Sequence, residues 1–70
     1  MPIVQITLVE GRDDETVKAC VKAVAQTVHE TLGAPLDTIR VFATVVPPMY
    51  WAVGDRTKDE IAAARQEGAK

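Results

Sequence analysis

The run Pro2-Ile3-Val4-Gln5-Ile6-Thr7-Leu8-Val9 places Val4, Ile6 and Leu8 on one face and Ile3, Gln5, Thr7 and Val9 on the other, which is the two-residue period of a β-strand. Gly11 breaks the run, and Asp13, Asp14 and Glu15 then supply the negative charge that a helix N-terminus favours. Val17, Cys20, Val21, Val24, Val28 and Leu32 follow at spacings of three and four, the buried stripe of an amphipathic helix. Gly33 reads as its left-handed cap, with Pro35 two residues beyond. Alternation returns from Ile39 to Val46, where Ile39, Val41, Ala43 and Val45 oppose Arg40, Phe42, Thr44 and Val46. Strand, long helix and strand in this order predict a right-handed βαβ unit with two parallel strands.

Working outward, Pro47-Pro48 stops the second strand. Met49 to Asp55 then reads as a loop or short hairpin that carries two of the three aromatic residues, Tyr50 and Trp51. Thr57-Lys58-Asp59-Glu60 matches a capping box, and the alanine-rich run Ile61 to Gln66 predicts a short helix with a narrow apolar face. Such a helix should dock on a neighbour or fray. The fold class is therefore α/β: a small βαβ subunit with a short C-terminal hairpin and helix, forming one domain over residues 1–70.

Seventy residues with 47% hydrophobic and 26% charged content describe a globular chain, yet one so short buries only about 60% of the surface its unfolded form exposes. A disulfide within the chain is excluded because Cys20 is the single cysteine, and Cys20 with His29 cannot complete a structural zinc site. Two strands leave open edges and an uncovered face, so association between subunits is the stabilisation that remains. The apolar stretches are strand-length and no basic segment leads into a long apolar run, which predicts a cytosolic protein that does not enter membranes. A net charge of −2 with interspersed signs gives no basic face for nucleic acid, and a small molecule is the expected partner.

Neither a glycine–serine nucleophile elbow nor a phosphate-cradling glycine loop appears, and no pair of metal-ligand histidines is present. Chemistry rests on few candidates. Methionine before a small residue is the usual substrate for methionine removal, which would leave Pro2 as a terminal secondary amine. An α-amino group titrates at about 8 in free peptides, and apolar surroundings lower that toward the range of a general base at neutral pH. Arg12 follows the first strand and Arg40 opens the second, at opposite ends of a parallel pair. They could clamp one small carboxylate ligand only across a subunit interface. Trp51 could close an apolar pocket or anchor an interface. His29 lies off the helix stripe and reads as a surface or interface residue, Cys20 reads as core, and Asp37 and Tyr50 are weaker candidates.

Pro2-Ile3-Val4-Gln5-Ile6, Glu10-Gly11-Arg12, Gly33-Ala34-Pro35, Ile39-Arg40-Val41, and Pro47-Pro48 before Trp51 and Gly54 together resemble the 4-oxalocrotonate tautomerase family. The resemblance runs from Pro2 to about Gly54. It implies a homohexamer built as a trimer of dimers, with a hetero-oligomer as the variant, and an enol–keto isomerase that needs no cofactor and no metal. It also implies the amino-terminal proline as base on a dienol such as 2-hydroxymuconate, in aromatic degradation. Arg12 matches the arginine that holds the far carboxylate. Arg40 matches the arginine a neighbouring subunit contributes to the 2-hydroxy and 1-carboxylate end. Trp51 takes the place of the aromatic wall, and Val9 is the second expected substrate-binding residue. The chain departs from the family at Val45, where many members carry an acid nearby, and at Ala52-Val53-Gly54-Asp55, where they carry a glycine-rich run. Its tail beyond Asp55 is also longer and more helical than in the shortest members. Two alternatives share the fold. One is a 3-chloroacrylate dehalogenase or hydratase, for which His29 falls where the cis-selective group carries a helix histidine. The other is a non-catalytic partner subunit.

Overall fold

The computed structural model describes the backbone of residues 1–68 and the side chains of residues 1–65; of the expected single unit over 1–70, residues 69 and 70 lie outside the described residues. Strand β1 (Ile3–Val9) leads into helix α1 (Asp14–Leu32), and a 3₁₀ turn at Leu36–Thr38 returns the chain to strand β2 (Arg40–Val46). The two strands pair in parallel, with Ile3 opposite Arg40 at one end and Val9 opposite Val46 at the other. The expected βαβ unit is therefore present. Asp13 occupies the N-cap of α1 in extended backbone, with Asp14 and Glu15 in the first turn. Gly33 ends the helix at φ 74°, a left-handed conformation that costs glycine little.

One face of the sheet rests on α1. Val4, Ile6 and Leu8 are half-buried there, paired with Val41, Ala43 and Val45, against Val17, Val21, Val24 and Val28 of the helix. The opposite face is bare: Ile3 is 63% exposed and Phe42 is 46% exposed. Among the described residues only Ile39, 7% exposed, qualifies as core.

Two residues assigned to the helix stripe are exposed instead. Cys20, expected in the core, faces solvent, because it stands roughly 70° around the helix from the centre of the valine stripe and a two-stranded sheet is too narrow to reach it. Leu32 is 70% exposed for a different reason. Nineteen helical residues span about 28 Å and seven strand residues about 23 Å, so the last turn of α1 overhangs the sheet.

After β2 the chain makes a 3₁₀ turn at Pro48–Tyr50, then a hairpin of β3 (Ala52–Val53) and β4 (Arg56–Thr57), then helix α2 (Lys58–Gly68). Gly54 and Asp55 form the two-residue hairpin turn, with Gly54 at φ 67° in the first central position. The capping box forms in half. The Thr57 N–H donates to Glu60 Oε1 at 2.9 Å, while the Thr57 hydroxyl turns to Asp59 rather than to the helix backbone. The Lys58 N–H donates to the Trp51 carbonyl at 2.8 Å, which ties the start of α2 to the turn before it.

The chain is long and thin. Its radius of gyration is 16.2 Å, against about 11 Å expected of a compact domain of this length. Its accessible surface is 5412 Å², about a quarter above the roughly 4,300 Å² expected of a folded monomer of its mass. An isolated copy thus keeps exposed the apolar surface that should stabilise it. Sedimentation velocity at micromolar concentration should show only assemblies larger than one subunit, and dilution that yields monomer should unfold it. A folded monomer at that concentration would contradict the reading of the bare sheet face.

Candidate active site

The parallel register sorts the candidate residues into two groups. Pro2 precedes Ile3 at the N-terminal end of the sheet, where the Arg40 N–H donates to the Pro2 carbonyl at 3.0 Å. Pro2 is half-buried; Met1 precedes it, so the Pro2 nitrogen in this chain is an amide. The Arg40 side chain is exposed, and its Nη1 donates to the carbonyls of Asp37 at 2.9 Å and Ile39 at 3.2 Å. Asp37 thus contributes its backbone to this arrangement. The remaining guanidinium donors of Arg40 suit a planar oxyanion.

Val9, Arg12 and Trp51 lie at the other end. Arg12 follows β1, and its Nη1 donates weakly to the Val9 carbonyl at 3.5 Å. Trp51 is half-buried after the 3₁₀ turn that leaves β2, whereas Tyr50 beside it is exposed. A depression of about 600 Å³ adjoins Arg12 and carries Glu10, Asp14, Val17, Lys18 and Val45 on its walls. Six strand residues separate the two groups, roughly 20 Å along β1. One chain therefore does not bring Pro2 and Arg12 together, as the opposed ends of the strands predict.

His29 has a structural role. Its Nδ1 lies 2.6 Å from the Ala34 carbonyl, which can only accept, so Nδ1 carries the proton. The same residue's carbonyl accepts from the Gly33 N–H at 3.0 Å, so side chain and backbone of His29 together close the end of α1. Sequence reading placed His29 off the stripe but could not find this bond, since its partner lies beyond the helix. Among the described residues no group of three or more His, Cys, Asp and Glu side chains could hold a metal ion, and no helix is long and apolar enough to cross a membrane.

The sequence model of the tautomerase enzyme family matches residues 2–60, a span that contains Pro2, Val9, Arg12, Arg40 and Trp51. The chain belongs to the tautomerase family. It is 34% identical over 61 residues to the 2-hydroxymuconate tautomerase of Stutzerimonas stutzeri, covering 87% of this chain and 97% of that protein. Its fold matches TomN, a 4-oxalocrotonate tautomerase homologue in the tomaymycin biosynthetic pathway, with a TM-score of 0.83 at 40% identity, over 89% of this chain and 95% of TomN. A 4-oxalocrotonate tautomerase heterohexamer from Chloroflexus aurantiacus J-10-fl matches with a TM-score of 0.80 at 30% identity, over 87% of this chain and 98% of that one. These relatives place the chain in the 4-oxalocrotonate tautomerase branch of the family.

In this chain, His29→Ala removes a cap and leaves the Ala34 carbonyl without its donor. Thermal unfolding should show a loss of about 1 kcal/mol per subunit, with isomerase activity kept. Loss of turnover at unchanged stability would instead return His29 to the chemistry.

Proposed function

We propose that the protein is an enol–keto tautomerase acting on small unsaturated 2-hydroxy acids of the 2-hydroxymuconate type, with the amine of Pro2 as general base once Met1 is removed. The observation that carries this is the division of the candidate residues between the two ends of one parallel strand pair. A ligand short enough to be held by both arginines must bind where copies meet, since Arg40 and Arg12 stand at opposite ends of the strand pair. Pro2 supplies the base there, Arg40 of a neighbouring copy one guanidinium, and the Val9–Arg12–Trp51 end the second guanidinium with an apolar wall.

In such a site the amine takes the hydroxyl proton of the dienol. The O–H electron pair becomes the new carbonyl, the double bonds shift along the chain, and the proton returns to a distant carbon to give the conjugated ketone. Arg40 binds the 2-hydroxy and 1-carboxylate end, where oxyanion character grows as the proton leaves. Arg12 holds the far carboxylate and draws electron density toward it. Trp51 and Val9 exclude water, which strengthens those charges and keeps the amine neutral. The assembly is a homohexamer in this reading. The likeness to a heterohexamer favours a second reading, in which the chain is one of two unlike subunits; full activity of the purified chain alone decides against it.

An amide nitrogen has its lone pair delocalised and is no base. Protein that retains Met1, or carries any acyl block on Pro2, should therefore fold and assemble normally yet lose at least about 100-fold in kcat/KM on 2-hydroxymuconate. Blocked protein with full activity would remove Pro2 from the mechanism.

Arg12→Ala should lower kcat and weaken substrate binding together, and Arg40→Ala should act more on kcat, each by about 10- to 100-fold. If one site draws Arg12 and Arg40 from different chains, oligomers reassembled from equal amounts of the two variants contain some sites with both arginines. Random mixing should restore about a quarter of wild-type turnover. No recovery in verified mixed oligomers would show that the site does not take its two arginines from different chains.

A further inference from the structure

Helix α2 builds a second hollow that touches the Val9–Arg12–Trp51 end. It is an open depression of about 500 Å³, and Val9, Pro48, Ala62 and Ala63 form its apolar walls. Two of its lining residues are bonded to expected site residues: the Val9 carbonyl accepts weakly from Arg12 Nη1, and the Lys58 N–H donates to the Trp51 carbonyl. The hollow therefore lies one bonded neighbour away from the guanidinium expected to hold the far end of the substrate and from the aromatic residue expected to cover it, neither of which lines it. The family match ends at residue 60, so Ala62 and Ala63 belong to a part of this chain outside it. Alanine at both places leaves room that a larger side chain would fill.

The charges around this hollow indicate what would enter. Glu10 and Asp59 stand against Lys58 alone, so the lining carries one net negative charge and disfavours a second carboxylate. Its apolar walls favour a neutral hydrophobic group. We propose that the α2 hollow is a specificity subsite for an aryl or alkyl substituent at the far end of the dienol, so that the protein takes monocarboxylate 2-hydroxydienoates with an apolar end as well as linear diacids. Ala62 and Ala63 set the size of that substituent. This rests on the tautomerase activity proposed above, and on the Val9 end of one subunit meeting the Pro2 end of another.

The test compares 2-hydroxymuconate with 2-hydroxy-5-phenylpenta-2,4-dienoate, in which phenyl replaces the far carboxylate, on wild type, Ala62→Leu and Ala64→Leu. Ala64 is exposed and does not line the hollow, so its variant reports a general disturbance of α2. Wild type should turn over both compounds. Ala62→Leu should lower the ratio of kcat/KM for the phenyl compound over the diacid by about tenfold or more, through KM, and Ala64→Leu should leave that ratio unchanged. Wild type active on the diacid but not on the phenyl compound would overturn the subsite and leave the tautomerase reading standing. Calorimetry with 5-phenylpenta-2,4-dienoate, which lacks the enol and cannot react, makes the test independent of turnover: binding by wild type and not by Ala62→Leu supports the subsite. Equal binding by both proteins, or by neither, overturns it. A change in the sedimentation of Ala62→Leu would also overturn it, by assigning the hollow to contact between copies.

Discussion

Everything in this molecule depends on the parallel pairing of β1 with β2. Parallel strands require a crossover, and α1 supplies it, covering one face of the sheet and leaving the other bare. The same pairing puts the start of β1 beside the start of β2, which brings Pro2 to Arg40, and holds the end of β1 roughly 20 Å away, with Arg12 and Val9. Stability and chemistry thus have one solution. The bare sheet face and the two separated groups of candidate residues both leave something that a second copy could supply.

Long periodic elements were legible in the sequence because each has a single physical cause. Alternation marks β1 and β2, the valine stripe marks α1, and the acids at Asp13 to Glu15 and the glycine at position 33 mark its ends. The first residue of β2 is Arg40 rather than Ile39, because Ile39 still closes the 3₁₀ turn by donating to the Leu36 carbonyl. Cys20 was misread because a helical period reports which residues share a face and says nothing of how wide the opposing surface is. A broader sheet would have covered it. The hairpin at Ala52–Val53 and Arg56–Thr57 is only two residues per strand, too short for alternation to declare itself, and Gly54 was its one signal.

The candidate site was legible in a different way. Pro2, Arg12 and Arg40 have no periodic signature and drew attention through chemistry, as an amine that exists only after processing and as two cations in a chain of net negative charge. That the two arginines lie apart within one chain followed from strand direction alone. The His29–Ala34 bond was not legible, since it depends on the path of the chain after the helix ends. Nor was the α2 hollow, which requires that Ala62 and Ala63 come beside Val9, more than fifty residues away in sequence.

Helix α2 has too narrow an apolar face to be held by burial alone, and polar bonds near its start hold it instead. Glu60 accepts from the Thr57 N–H, and the Lys58 N–H is fixed on the Trp51 carbonyl. Both bonds are made by backbone N–H groups within or beside its first turn, where helices leave such donors without partners of their own. Because Trp51 is one of the acceptors, the helix is aligned on the expected wall of the site rather than on the strand pair. Residues farther along α2 can then change size without disturbing the β1–β2 register on which folding depends. The hollow beside Val9 lies along that part of the helix.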